Sequence, residues 1–164
     1  MSNPRHIRIQ DALIPAVINA VINGGIAYFG FKEQATIPLS LDGISSQQHT
    51  VFGEGVVLAF ALGVILSIVT AKVFSRHAVK ADPSLAPLVQ RPVFPFVFKI
   101  ALNNGAALFG WFVALAILWQ RVVGTVEVQP VLAAVLVGLL AGVITVIVEV
   151  WTKRALLQPA GETA

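Results

Sequence analysis

The sequence PVLAAVLVGLLAGVITVIVEVW occupies residues 130–151 and contains one charged residue, Glu149. As an α-helix this stretch is about 33 Å long, enough to cross a hydrocarbon core of about 30 Å. Lipid offers no hydrogen-bond partners to the backbone, so such a stretch is expected to be helical. Three similar stretches lie at 12–31, 51–74 and 94–119. The sequence therefore predicts an all-α polytopic membrane protein with four transmembrane helices, forming a single domain over 1–164.

The composition agrees with a membrane protein and argues against a soluble one. Hydrophobic residues make up 57% of the chain and charged residues 12%, whereas soluble domains carry about 25% charged residues. The chain has no cysteine, which excludes disulfides, thiolate metal sites and a cysteine nucleophile. The net charge of +3 is explained by membrane topology, so we expect no nucleic-acid partner.

The positions of the basic residues predict the orientation. Of the three connections between the predicted spans, the first and the third hold only Lys32 and Arg121. The positive-inside rule then places both termini in the cytoplasm, and we expect a cell membrane of the bacterial inner-membrane kind. A basic face that holds anionic lipid headgroups is a second interpretation of the same charges. Nine of the 11 basic residues lie at the termini, in the middle connection or just inside the third helix: Arg5, Arg8, Lys72, Arg76, Lys80, Arg91, Lys99, Lys153 and Arg154.

Two pairs of segments indicate an internal duplication. Residues 51–74 and 130–151 align at an offset of 75, which pairs Gly63 with Gly138. We predict two tandem helical hairpins, about 11–75 and about 93–154, that enter the membrane in the same direction and form a pseudo-twofold bundle. Residues 15–30 match 95–110 at an offset of 80, and the identical pairs include Pro15 and Pro95, Asn23 and Asn103, Gly25 and Gly105, Ala27 and Ala107, Phe29 and Phe109, Gly30 and Gly110.

Asparagines inside the predicted spans are the leading functional candidates. Asn19 and Asn23 are four residues apart and share one helix face, as do Lys99 and Asn103, and Asn104 follows directly. An amide is costly against lipid, so these side chains should face other helices or another subunit. Two interpretations stay open: the amides line a path for a polar solute, or they form interhelical hydrogen bonds, with Asn23 bonded to Asn103 across the pseudo-twofold axis.

Three further sets of residues are candidates for structural or binding roles. Glu54 is either a cation attractor at a pore mouth or a helix-capping residue in the headgroup zone. Lys99 and Glu149 lie at similar depth and either form an ion pair or extend separately to the interface. Five glycines are predicted to let helices approach closely: Gly25, Gly63, Gly105, Gly138 and Gly142.

Several missing groups argue against an enzyme. His6, His49 and His77 fall outside the spans, so haem ligation within the membrane is not expected. The spans carry no acid or base at their centres, and no nucleotide-binding or hydrolase motif is present. We therefore expect no catalytic residue, no cofactor and no metal. Pro83, Pro87 and Pro92 predict an extended rather than helical connection over 75–93.

Two functions fit these observations. The first is a homo-oligomeric channel or facilitator for a small polar or ionic solute, suggested by the asparagines and glycines. The second is a non-catalytic accessory or scaffold subunit of a larger membrane complex, suggested by the lack of reactive groups. In both cases the partners are the lipid bilayer and either copies of the chain or other membrane subunits.

Overall fold

Four long helices dominate the computed structural model, which describes residues 7–41, 49–90 and 93–158. They are α1 (Leu13–Phe31), α2 (Val51–Ala81), α3 (Phe98–Val122) and α4 (Pro130–Leu157). Each is long and apolar enough to cross a membrane, which confirms the prediction of an all-helical chain with four candidate spans. Arg5, His6, Arg91 and Pro92, used in the sequence arguments, lie outside the described residues.

Short elements connect the spans. A 3₁₀ turn, Ile9–Ala12, leads into α1, and a π-helix, Val93–Val97, leads into α3. Strand β1 (Ile37–Pro38) pairs antiparallel with strand β2 (Glu127–Val128), with Ile37 opposite Val128. This pairing joins the α1–α2 connection to the α3–α4 connection, so both lie at one end of the molecule, which we call the strand end.

The connection between α2 and α3 corrects one prediction. The sequence predicts an extended connection over 75–93, but α2 continues to Ala81 and is followed by a 3₁₀ turn, Pro83–Leu85, and a helical turn, Ala86–Val89. Pro83 and Pro87 occupy first-turn positions, where a missing N–H breaks no helical hydrogen bond. Asp82 supports the new turn, because its Oδ1 accepts a hydrogen bond from the Ser84 N–H at 3.0 Å.

The helices pack in the order α1, α4, α2, α3, with α1 at one edge in contact chiefly with α4. Ala16 lies against Gly142 and Gly24 against Ala134, so α1 and α4 are antiparallel. Ser67 lies near both Asn104 and Thr152. The α1–α4 and α2–α3 pairs each join one helix from each predicted hairpin. The duplication itself stays a prediction.

The second end of the molecule is closed by the α2–α3 connection. Leu85 and Val89 are buried against Ala78 and against Leu156 near the end of α4. The Ser75 hydroxyl donates a hydrogen bond to the Val89 carbonyl at 2.6 Å. We call this the basic end, because it collects seven of the described basic residues: Arg8, Lys72, Arg76, Lys80, Lys99, Lys153 and Arg154.

Candidate functional site

A buried polar cluster joins three of the four spans. Asn104 Nδ2 on α3 donates hydrogen bonds to Ser67 Oγ on α2 at 2.9 Å and to Thr152 Oγ1 on α4 at 3.1 Å. The Thr152 hydroxyl donates to Ser67 Oγ at 3.3 Å, and the Ser67 hydroxyl donates to the Gly63 carbonyl at 2.6 Å. All three side chains are buried. Ser67, Asn104 and Thr152 are called the three-helix cluster below.

A second cluster joins α1 to α4. Asn19 Nδ2 donates a hydrogen bond to Thr145 Oγ1 at 3.2 Å, and the Thr145 hydroxyl donates to the Ala141 carbonyl at 2.7 Å. Asn23 Nδ2 donates to the Asn19 carbonyl at 2.9 Å, within its own helix. Thr145 is buried, whereas both asparagines are half-buried. Asn19 therefore connects two helices, while Asn23 bonds back to the α1 backbone.

The bonding pattern of both clusters is that of helix–helix contacts. In both clusters the acceptors are hydroxyls and backbone carbonyls, and within the described ranges no fully buried side-chain nitrogen or oxygen lacks a partner. The expected hydrogen bond between Asn23 and Asn103 is not formed, because α1 and α3 lie on different sides of the central helices. The internal amides thus form hydrogen bonds within the bundle: Asn19 and Asn104 to hydroxyls on other helices, and Asn23 to the backbone of its own helix.

The hydroxyl partners were not among the residues singled out from the sequence. Ser67, Thr145 and Thr152 each sit in an apolar helix, where a hydroxyl can bond the carbonyl four residues back and accept from another helix. Ser67 and Thr145 do both. A search for hydroxyls within the predicted spans would have found Ser67 and Thr145 but not Thr152, which follows the predicted end of the fourth span at residue 151, and it would not have found their partners, since these lie on other helices.

The closest helix approaches occur at glycines. A Cβ atom built on Gly63 would lie 2.6 Å from the Gly105 Cα, and one on Gly138 would lie 2.7 Å from the Ala20 carbonyl oxygen. A Cβ on Gly142 would lie 3.3 Å from the Ala16 carbonyl oxygen. These distances leave no room for larger residues at Gly63 or Gly138 unless the helices separate.

Gly25 behaves differently from the other predicted packing glycines. A Cβ added there would meet nothing within 4 Å, whereas one on Gly24 would lie 3.4 Å from the Gly138 Cα. Consecutive residues in a helix point about 100° apart, so only one of the two can face α4. Gly25 instead borders an apolar groove of about 390 Å³ on the surface of the α1–α4 pair, with Tyr28 also along its lining.

One face of α3 points away from the bundle and carries polar and small residues. Neither Lys99 nor Asn103 forms a hydrogen bond or ion pair with any residue that the structure describes. A Cβ on Gly110 would meet nothing within 4 Å. We call this surface the α3 outer face; it consists of exposed residues three or four positions apart: Lys99, Asn103, Ala106, Gly110 and Ala114.

The two predicted acidic candidates have local partners. Glu54 lies in the first turn of α2, 2.8 Å from His49 Nδ1, and the adjacent Thr50 side chain caps the helix by accepting from the Gly53 N–H at 3.0 Å. A carboxylate is favoured at a helix N-terminus. Glu149 pairs with Lys153 one turn along α4 rather than with Lys99. The proposed Lys99–Glu149 pair is absent because Lys99 faces outward from α3.

No group of three or more metal-ligating side chains occurs in the part of the chain that the structure describes. The chain matches no family model, no curated protein and no solved structure. Its function has to follow from its own contacts, charges and exposed surfaces. The two features to explain are a tightly bonded interior and a polar, small-residue face that is turned outward.

Proposed function

We propose that this chain is a non-catalytic scaffold subunit of a membrane assembly and that the α3 outer face contacts a neighbouring subunit. The observation that carries the proposal is the exposed amide of Asn103. It lies on a candidate membrane span and has no partner among the described residues.

The depth of Asn103 follows from its neighbours. Glu54 and His49 form a polar pair at the strand end of α2, so the hydrocarbon begins after them. About 20 residues of helix cross it, which puts the opposite boundary near residue 74. Ser67 is about 10 Å inside that boundary at about 1.5 Å per residue, and Asn104 is hydrogen-bonded to it. The adjacent Asn103 is then surrounded by lipid tails unless a protein covers it.

Covering this amide is energetically favourable. Moving an unbonded amide from water into hydrocarbon costs about 4–8 kcal/mol, and a neighbouring helix can offer the missing hydrogen bond. Ala106, Gly110 and Ala114 are spaced four residues apart, and small residues at this spacing let two helices approach closely. A polar residue beside a small-residue row is the usual composition of a helix contact in membranes.

The proposal includes the orientation of the chain in the membrane and its origin from two tandem hairpins. With the basic end in the cytoplasm, both termini are cytoplasmic, in a cell membrane of the bacterial inner-membrane kind. The matching Gly24–Gly138 and Gly63–Gly105 approaches support descent from a duplicated hairpin. An ancestral hairpin of this kind would have needed a second copy to bury its glycine faces.

A second function, a homo-oligomeric facilitator for a small polar or ionic solute, is favoured by one observation. Lys99 and Asn103 lie one turn apart on the same exposed face, so in a ring of subunits they would line a shared path. The internal asparagines favour a solute path less than Lys99 and Asn103 do, because Asn19 and Asn104 are bonded to hydroxyls on other helices.

Single-cysteine crosslinking tests the scaffold proposal cleanly, because the native chain has no cysteine. Gly110→Cys places a thiol on the α3 outer face. Gly30→Cys is the matched control: Gly30 is the counterpart at offset 80, is also exposed and also has nothing within 4 Å of an added Cβ. In oxidised native membranes we expect a crosslink at position 110 and none at position 30.

The crosslinking results distinguish between the possible neighbours of the α3 outer face. A disulfide-linked dimer from Gly110→Cys identifies a second copy, and capture of another membrane protein by a bifunctional thiol reagent identifies a different subunit. A monomeric protein with no crosslink at position 110 contradicts the scaffold proposal. Solute flux in proteoliposomes that is lost in Asn103→Leu, with assembly unchanged, would favour the facilitator.

A further inference from the structure

Helix α2 is longer than a bilayer requires. Its 31 residues, Val51–Ala81, extend about 46 Å, compared with about 30 Å of hydrocarbon. Glu54 and His49 hold the strand end of α2 in the polar zone. The excess therefore emerges at the basic end, where about the last seven residues of α2 pass through the headgroup layer and beyond.

Three cations form a line along the end of α2, from just inside the hydrocarbon boundary outward. Lys72, Arg76 and Lys80 are four residues apart and all exposed, and they therefore share one face of the helix. None of them forms an ion pair or hydrogen bond with any residue in the described ranges. Like charges at this spacing destabilise a helix. Lys80 gains from its position in the last turn, but Lys72 and Arg76 have no such compensation.

The orientation of this line is fixed by the packing behind it. Ala71 and Ala78 are buried in the core at the basic end, and the Ser75 hydroxyl is bonded to the Val89 carbonyl at 2.6 Å. Rotation of α2 would break these contacts. The three cations are therefore held outward, toward the surrounding lipid and its headgroups.

We infer that Lys72, Arg76 and Lys80 form a binding site for the phosphate of an anionic phospholipid in the leaflet at the basic end. Arg76 lies at the hydrocarbon boundary, where a guanidinium can bind phosphate oxygens in a bidentate manner. Lys72, one turn deeper, reaches the same level by extending its side chain along the helix. Lys80, one turn further out, adds attraction to the anionic surface.

The site does not depend on the proposed assembly, because the three residues lie on α2 and the α3 outer face lies on another helix. Inorganic phosphate has the same chemistry as the lipid headgroup. The depth of Lys72 and Arg76 favours the lipid, since its phosphate is already held at the membrane boundary, whereas free phosphate is not.

Lipid selectivity at the protein surface tests this inference. The full chain is reconstituted in phosphatidylcholine, and spin-labelled phosphatidylglycerol and phosphatidylcholine report which lipid is retained next to the protein. Each cation can contribute up to about five-fold in preference for the anionic lipid. We expect the wild type to prefer phosphatidylglycerol several-fold and Lys72→Gln/Arg76→Gln/Lys80→Gln to lose most of that preference, the remainder coming from other exposed cations at the basic end such as Lys99 and Arg154.

Lys32→Gln/Arg121→Gln is the matched control, since it removes cations from the opposite end and should leave the preference unchanged. The proposed site is wrong if this control loses as much of the preference for phosphatidylglycerol as the triple variant does, or if the triple variant keeps the full preference. The single variant Arg76→Gln is measured as well, because the triple variant could fold wrongly or insert in the opposite orientation. Arg76→Gln should lose about half or more of the preference for phosphatidylglycerol, measured on a logarithmic scale. If the reconstituted wild type binds inorganic phosphate but shows no preference for phosphatidylglycerol, the site takes free phosphate and the lipid inference is wrong.

Discussion

The outward faces of α1 and α3 differ, although the two helices carry the same sequence motif at an offset of 80. The outward face of α1 consists of large apolar side chains such as Ile14, Val21 and Ile26, each about two-thirds exposed or more (74%, 70% and 66%). The outward face of α3 carries Asn103 and Ala106 at the positions of Asn23 and Ile26. The first is uniformly apolar, whereas the second combines an amide and small residues with exposed apolar side chains of the same helix, such as Trp111 (68%).

A one-residue shift in helix register explains the difference. Gly24 is the glycine of α1 that meets Gly138, and Gly105 is the glycine of α3 that meets Gly63, so the structural offset is 81 rather than 80. One residue corresponds to about 100° of rotation. The inward amide of α3 is therefore Asn104, and Asn103 is turned out. The π-helix Val93–Val97 precedes α3, and a π-turn accommodates an additional residue.

Replacing an inward glycine should have the largest effect on this arrangement. In Gly63→Ala the new Cβ would lie 2.6 Å from the Gly105 Cα, so α2 and α3 must separate. We expect a loss of about 2–3 kcal/mol in the free energy of unfolding, measured by unfolding in mixed micelles. Gly110→Ala is the control and should change it by less than about 0.5 kcal/mol. Equal effects would mean that Gly110 also lies in a tight contact.

Adjacent asparagines on α3 should respond in different ways. Asn104→Leu removes two interhelical hydrogen bonds from the three-helix cluster and should cost about 1–2 kcal/mol of monomer stability. Asn103→Leu should leave monomer stability unchanged or raise it, while weakening assembly. Unfolding curves and sedimentation in detergent measure the two properties. A monomer destabilised more by Asn103→Leu than by Asn104→Leu would contradict the register described above.

Exchanging the character of the two outward faces should have the smallest effect. Ala106→Ile makes α3 resemble α1 and blocks close approach, so we expect assembly to weaken about five-fold, equivalent to about 1 kcal/mol. Ile26→Ala makes the reciprocal change on α1 and should leave assembly unchanged. Energy transfer between labelled subunits in a bilayer measures the association constant of each variant. Weaker assembly from Ile26→Ala alone would move the contact to α1.

The sequence by itself determined the class of the protein and its four candidate spans. These follow from the length and apolar character of each stretch, because a bilayer requires little more of a helix than sufficient length and internally satisfied backbone hydrogen bonds. The segregation of basic residues to one end was also readable, since it depends only on their order along the chain.

The tertiary structure decided which side of each helix faces inward. Asn103 and Asn104 have the same chemistry, as do Gly24 and Gly25, and only the partner helix selects one of each pair. Glu149 paired with Lys153 because a partner one turn away on the same helix was closer than Lys99, which faces outward. Contacts of this kind depend on rotation by a single residue, about 100°, and that rotation is set by packing between helices distant in sequence.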